Sequence, residues 1–273
     1  MLRTRILTVL VLLPLLLAAL FFASNAWWAL LLAPLVLTGA WEWGALAGWQ
    51  ARGRLLYAAL TGAAGLCLWL STPAAAASAL GTALLIAAVV FWLALVPLWL
   101  ARGWRVSATP AMALAGFAVL LPLWLALVQL QQRPWLLLFL MGIVWISDTA
   151  AYFCGKRWGR RKLAATISPG KTWEGAAGAL MAVAVYYFVL AYLVPGASGV
   201  IAHDYLQGIT GCMVFLTLAI LGIEGDLFES WVKRTAGVKD SGTAFPGHGG
   251  LLDRIDALTA SMPAAALLLS GAV

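Results

Sequence analysis

Of the ten carboxylate side chains in this 273-residue chain, all but Glu42 follow residue 147. Most stand in three clusters beside lysines, hydroxyls and glycines. The first begins at Asp148, continues through the basic run Lys156, Arg157, Arg160, Arg161 and Lys162, and ends in Ser168-Pro169-Gly170-Lys171-Thr172 with Glu174 just beyond. Two hydroxyls, a bare backbone turn and an ammonium group directly before a helix start form an anion site, because unpaired N–H groups and the helix dipole both favour negative charge there. The second cluster is Glu224, Asp226, Glu229 and Ser230. Spacings of three and four place Asp226, Glu229 and Ser230 on one helical face, and acids at what reads as a helix C-terminus oppose its dipole, which argues against a merely solvated helix end. The third cluster is the stretch from Ser230 to Asp256, SWVKRTAGVKDSGTAFPGHGGLLDRID. It holds Lys233, Arg234, Lys239, Asp240, the glycines Gly242, Gly247, Gly249 and Gly250, the single His248, and Asp253 and Asp256 three residues apart with Arg254 between them.

Carboxylates from two helix ends that meet beside lysines and a glycine-rich loop suit a hard, oxygen-ligated cation such as Mg2+ bound together with phosphates. His248 alone is no metal signal, since a lone histidine is more often a hydrogen-bonded structural residue. A Walker A loop ending at Gly170-Lys171-Thr172 would need glycine where Ala165 stands, and no soluble β-strand is expected before it. Two plainer readings stay open: a structural ion-pair cluster for the acids, and an anchor beside anionic lipid for the basic run.

What must position these groups is almost wholly lipid-soluble. Apolar residues make up 64% of the chain and charged residues 10%, against about 25% charged in an ordinary soluble domain. Runs of about 20 apolar residues follow one another with short polar breaks, and they are continuous, not alternating. The expected fold class is therefore all-α, a polytopic membrane helical bundle and not a β-barrel. Nine transmembrane helices are expected, at about residues 6–23, 27–48, 55–70, 80–100, 112–130, 135–154, 173–194, 205–228 and 255–273. Pro14, Pro34, Pro97 and Pro122 fall inside spans and mark kinks. With the N-terminus inside, every basic residue except Arg133 falls on the inner side, and the excess of lysine and arginine in cytoplasmic loops makes the topology N-in and C-out. Many of the 15 tryptophans, Trp27, Trp28, Trp135, Trp158 and Trp231 among them, fall near span ends and read as headgroup anchors. Cys67, Cys154 and Cys212 are far apart and form no CxxC pair, so neither zinc nor a disulfide framework is suggested. Arg3 and Arg5 before an apolar run resemble a signal peptide, but Trp27 begins a second run at once, so a retained first helix is expected. One integral membrane domain spans residues 1–273, with residues 1–140 a hydrophobic support and residues 141–273 carrying the chemistry-bearing helices and cytoplasmic loops.

The third cluster resembles the signature of the phosphatidate cytidylyltransferases, also called CDP-diacylglycerol synthases. The likeness is carried by Ser230, Lys233-Arg234, Lys239-Asp240, Gly242, Pro246, His248-Gly249-Gly250 and Asp253-Arg254-Ile255-Asp256. The segments Gly225 to Ser230 and Ser168 to Thr172 also resemble family motifs, whereas the first 140 residues match only in hydropathy and in Glu42 near the end of the second span. The resemblance implies transfer of a cytidylyl group from CTP to phosphatidic acid, giving CDP-diacylglycerol and pyrophosphate. It places the reaction among membrane lipids on the cytoplasmic face of a bacterial inner (cytoplasmic) membrane, with no nucleic-acid partner. A divalent cation, usually Mg2+, is implied, with a second cation in a two-metal site, and a homodimer is the expected assembly. Asp226, Asp253 and Asp256 are the expected metal ligands and, with Lys239 and Asp240, the expected catalytic residues. Asp148, Ser168, Lys171, Thr172, Glu174, Ser230, Lys233, Arg234, His248, Gly249, Gly250 and Arg254 are the expected substrate contacts.

Two other readings compete. A transporter or channel would use Glu42 and Asp148 as proton or ion carriers inside the bilayer, but it calls for polar groups spread over depth and for inverted repeats, and none is evident. A third reading keeps the chemistry and replaces phosphatidate by a prenyl-ether lipid or a dolichol-like alcohol.

Overall fold

The computed structural model describes residues 2–71, 78–106, 109–194, 207–244 and 249–269. Pro246, His248 and Asp204 lie outside the described residues. Nine helices occur among the described residues: α1 (Leu2–Phe22), α2 (Asn25–Leu46), α3 (Ala51–Ser71), α4 (Ala79–Arg102), α5 (Thr109–Leu130), α6 (Pro134–Trp158), α7 (Trp173–Tyr192), α8 (Gly208–Thr235) and α9 (Leu252–Leu269). Seven of them, α2 to α8, are long and apolar enough to cross a membrane. The chain is thus a polytopic helical membrane protein.

Helix α9 is the hub. It packs against α8, α5 and α4, and from Ala257 to Ala266 every residue is buried. Its small side chains let four helices approach one another, as close helix packing in membranes requires. Proline is accommodated in α4 by a π turn at Phe91–Leu95, where the Val96 N–H reaches Phe91 O just before Pro97. That turn presents Phe91 and Trp92, and with Trp99 one turn on they set their rings edge-on to Phe228 of α8 at 5.7, 5.6 and 5.4 Å between centroids.

Buried tryptophans do more here than anchor. Trp28, 2% exposed, donates its indole N–H to Leu127 O, Trp43 donates to Met112 O and Trp124 to Ala29 O, so three indoles tie α2 to α5. Trp231 and Trp99 both donate to Trp104 O. Trp28 is therefore an interhelical strut and not a headgroup anchor, and the half-buried Trp231 ties α8 to the segment after α4, whereas Trp27, Trp135 and Trp158 do lie on the outer surface.

The two ends of the bundle differ. At one, Asn25 and Gln131 form a polar knot: Asn25 Nδ2 donates to Val128 O and Gln131 Oε1, and Gln131 Nε2 donates to Leu20 O and Ala23 O. At the other end lie the C-termini of α2, α6 and α8 and the N-termini of α7 and α9, joined by the contacts described next.

Two departures from the sequence expectation fall at this second end. Residues 162–172 form an antiparallel hairpin, β1 (Lys162–Ala164) with β2 (Ser168–Thr172), so the Ser168 to Thr172 segment is a strand and not a bare turn. In addition, α8 runs to Thr235, seven residues past the expected end at 228. Glu229, Lys233 and Arg234 are helical, the Glu229–Lys233 pair spans one turn, and Lys233 and Arg234 supply the favourable charge in the last turn. The acids of α8 consequently do not sit at its C-terminus, and they do not oppose the dipole there.

Candidate active site

Helix α8 is the spine of the site, and each of its two polar flanks is walled by another element. On one flank, β2 and the start of α7 meet α6. Thr172 is the N-cap of α7, its hydroxyl accepting the Gly175 N–H at 3.1 Å, which satisfies one of the free donors of the first turn. Glu174 turns away from α8 and accepts the backbone N–H groups of Arg160 and Arg161, fastening the hairpin to α7. Lys171 points inward, and its Nζ lies 2.5 Å from Asp226 Oδ2. Ser230 donates to the other oxygen of Asp226 at 3.3 Å. Between these elements lies a cavity of about 420 Å3 whose polar lining is Asp148, Lys156, Ser168, Lys171, Thr172 and Asp226. The rest of its wall is apolar, with Tyr152, Leu163 and Ile223 among the lining residues.

On the other flank, α8 meets the N-terminus of α9. Lys233 Nζ donates to Glu229 Oε2 at 3.0 Å and to Asp253 Oδ1 at 2.5 Å. Asp253 Oδ2 accepts from Ser241 N–H at 2.9 Å, Gly250 N–H at 2.8 Å and the Ser241 hydroxyl at 3.1 Å. Gly249 takes φ of 87° in the turn that delivers Gly250, a backbone region that favours glycine. Asp256 is held by its own helix, accepting the Ala257 N–H, and lies within electrostatic range of Asp226, Glu229 and Asp148. This proximity depends on Gly225: a Cβ there would strike the Asp256 carbonyl.

The structure thus brings together Asp148, Ser168, Lys171, Thr172 and Asp226 on one flank, and Lys233, Asp253, Asp256 and Gly250 on the other. Lys239, Asp240 and Arg254 sit on the exposed rim. Arg234 braces the hairpin to the turn after α8, donating to Ile167 O and Val238 O. From the sequence Ser241 is not singled out, Glu229 has no assigned role, and Glu42 stands only as a point of resemblance and as an ion carrier in the transporter reading. The signals available for these were Glu229 at i−4 from Lys233 and the isolation of Glu42 as the one acid before Asp148.

Among the described residues no three acidic, histidine or cysteine side chains converge as a ready-made metal cage. Mg2+ held together with substrate phosphates needs only one or two carboxylates, and the charge balance fits such a cation. Asp148, Asp226, Glu229, Asp253 and Asp256 are opposed in this region by the ammonium groups of Lys171 and Lys233, with Lys156 at the exposed edge of the cavity. Glu229 Oε1 is buried against the Asp256 carboxyl and receives no N–H donor. Partly buried carboxylates crowded in this way are costly as anions unless a cation or a retained proton compensates them, and a cation entering with phosphates is one such compensation.

Residues 3–271 match the Cytidylyltransferase family. The chain belongs to it. Among its relatives, the phosphatidate cytidylyltransferase of Pseudomonas aeruginosa is 38% identical over 98% of this chain and 97% of its own length. That of Haemophilus influenzae is 35% identical over 96% of both chains. That of Brucella suis is 46% identical over 50% of this chain and 47% of its own length. For a member of this family, lysines facing carboxylates along one helix are suited to a reaction that moves a nucleotide between phosphates.

Proposed function

We propose that this protein transfers the cytidylyl group of CTP to phosphatidic acid, giving CDP-diacylglycerol and pyrophosphate. The observation that carries the reading is the two-sided α8 site, with Lys171–Asp226 beside an amphipathic cavity and Lys233–Asp253 opposite, in a chain aligned nearly end to end with phosphatidate cytidylyltransferases. A phosphate oxygen of phosphatidate attacks the α-phosphorus of CTP, the bond from that phosphorus to the bridging oxygen breaks, and pyrophosphate leaves. Such a displacement calls for positioning and charge neutralisation, not for a covalent enzyme residue. Lys171, Ser168 and Lys156 hold the lipid phosphate at the cavity, whose apolar wall accepts the adjoining glycerol and acyl carbons. Lys233, released from its carboxylates, faces the triphosphate. Asp226, Asp253 and Asp256 are the ligands for Mg2+, which when bound supplies positive charge to the triphosphate.

The same reading puts the N-terminus and the active end of the bundle in the cytoplasm of a bacterium, in its inner membrane, where the basic residues gather. The homodimer is carried over from family resemblance. The transporter reading loses support because Glu42 is held by the backbone N–H groups of Leu251 and Leu252 and by the Ser241 hydroxyl.

Purified protein in mixed micelles with radiolabelled CTP tests the proposal. The expected result is label in chloroform-soluble CDP-diacylglycerol only when both phosphatidate and Mg2+ are added. Folded protein that transfers no label, or that instead conducts ions in liposomes, would contradict it.

A further inference from the structure

The carboxylate of α2 reaches into the loop before α9. Glu42 is 3% exposed, and a carboxylate so deep in a protein needs a full set of partners. Its partners are not cations. Oε1 accepts the Leu251 N–H at 2.9 Å, and Oε2 accepts the Leu252 N–H at 3.0 Å and the Ser241 hydroxyl at 2.9 Å. Leu251 and Leu252 open α9, so their N–H groups belong to the free donors of a helix start. Such donors are ordinarily capped by a side chain a few residues away. Here the cap comes from another helix, some 210 residues distant in sequence, and its charge lies at the positive end of the α9 dipole.

The contact continues to the site. The Ser241 hydroxyl that meets Glu42 also meets Asp253 Oδ2, and the N–H groups of Ser241 and Gly250 hold that same oxygen. Space around Glu42 is shaped to the carboxylate: a Cβ at Gly250 would lie 2.6 Å from Glu42 Oε2, and one at Gly242 would collide with Oε1. Only Asp253 Oδ1, now on Lys233, is left to change partner.

We propose that Glu42 is a positioning residue for cytidylyl transfer, which fixes Asp253 through Ser241 and the N-terminus of α9 so that its Oδ1 can exchange Lys233 for a cation entering with the triphosphate. The kinetic part of the test rests on the cytidylyl-transfer reading; the structural part does not.

The test compares Glu42→Gln, Glu42→Ala and Gly242→Ala with the parent protein in detergent. In metal-free samples, amide hydrogen exchange in residues 241–244 and 249–253 should quicken at least about tenfold, with other segments unchanged. In assays, the half-saturating Mg2+ concentration should rise and kcat should fall about 10- to 100-fold. KM for phosphatidate should stay within about twofold, because the cavity residues lie on other elements. Gly242→Ala keeps the buried charge and only displaces it, so it decides the matter should the Glu42 variants aggregate. Unchanged exchange and an unchanged Mg2+ midpoint in a folded variant would overturn the proposal, including the case where only the yield of folded protein falls. A parent protein that makes no CDP-diacylglycerol would refute the cytidylyl-transfer reading, while the exchange result still decides the Glu42 contact.

Discussion

The two flanks of α8 carry the same chemical pair, a lysine on an aspartate, in different settings. The Lys171 and Asp226 side chains are 23% and 31% exposed at the edge of a cavity. The Lys233 and Asp253 side chains are 10% and 9% exposed, with Asp253 Oδ2 taken by the Ser241 and Gly250 N–H groups and sharing the Ser241 hydroxyl with Glu42. The first pair is free to open when a substrate phosphate arrives. The second is locked on the protein side and has one oxygen left for exchange. One flank therefore admits and the other holds, and substitutions should separate the two roles.

The largest effect is expected for Asp253→Asn. It should lower CDP-diacylglycerol formation by about 1000-fold or more, and it should also lower the melting temperature, because breaking a buried ion pair by removing one partner costs about 3–5 kcal/mol. Thermal unfolding and turnover measured on one preparation would check both. Next, Lys233→Ala should destabilise the fold by about the same 3–5 kcal/mol, whereas Lys171→Ala should cost less, because it removes the buried ammonium itself and leaves Asp226, 31% exposed at the cavity edge, open to water. Equal melting temperatures for the two lysine variants would erase the distinction between the flanks. Gly225→Ala forces α8 away from the Asp256 carbonyl and should cost about 1–3 kcal/mol, with activity falling as Asp226 and Asp256 separate. The smallest effect is expected for Lys156→Ala at the cavity lip, a roughly two- to fivefold rise in KM for phosphatidate, since an exposed charge contributes up to about 1 kcal/mol.

How far these features are legible in the sequence follows from the range over which each is set. The bundle is legible because apolar runs declare themselves locally, and the α8 and α9 acids stand out because charge is rare in this chain. The start of α7 is also visible, since Thr172 followed by Glu174 is a helix-start pattern. The strand that leads into it is harder. Pro169 and Gly170 are poor strand formers, and the hairpin holds through Glu174 on the Arg160 and Arg161 N–H groups and Arg234 on Ile167 O. Residue 228 falls short of the end of α8 because falling hydropathy marks the end of an apolar run, not of a helix that continues through the Glu229–Lys233 pair. Glu42 marks the limit of local reading. Its partners lie in the loop before α9 and in the first residue of that helix, and nothing beside it in sequence points there.

The hydrophobic first half is accordingly more than a support. Helix α4 sets Phe91, Trp92 and Trp99 around Phe228, fixing the turn of α8 that lies between Asp226 and Glu229. Helix α2 fixes the start of α9 through Glu42. The positions of the acids on both flanks thus depend on residues more than 120 positions earlier in the chain.

The measurement that bears most directly on the account is turnover by Asp226→Asn at saturating CTP, phosphatidate and Mg2+, on protein whose melting temperature is recorded in the same detergent. The account predicts a melting temperature like that of the parent protein with CDP-diacylglycerol formation at background. Near-normal turnover would remove Asp226 from the chemistry, and loss of activity that merely follows loss of folded protein would contradict the assignment of the Lys171–Asp226 flank as the one that opens.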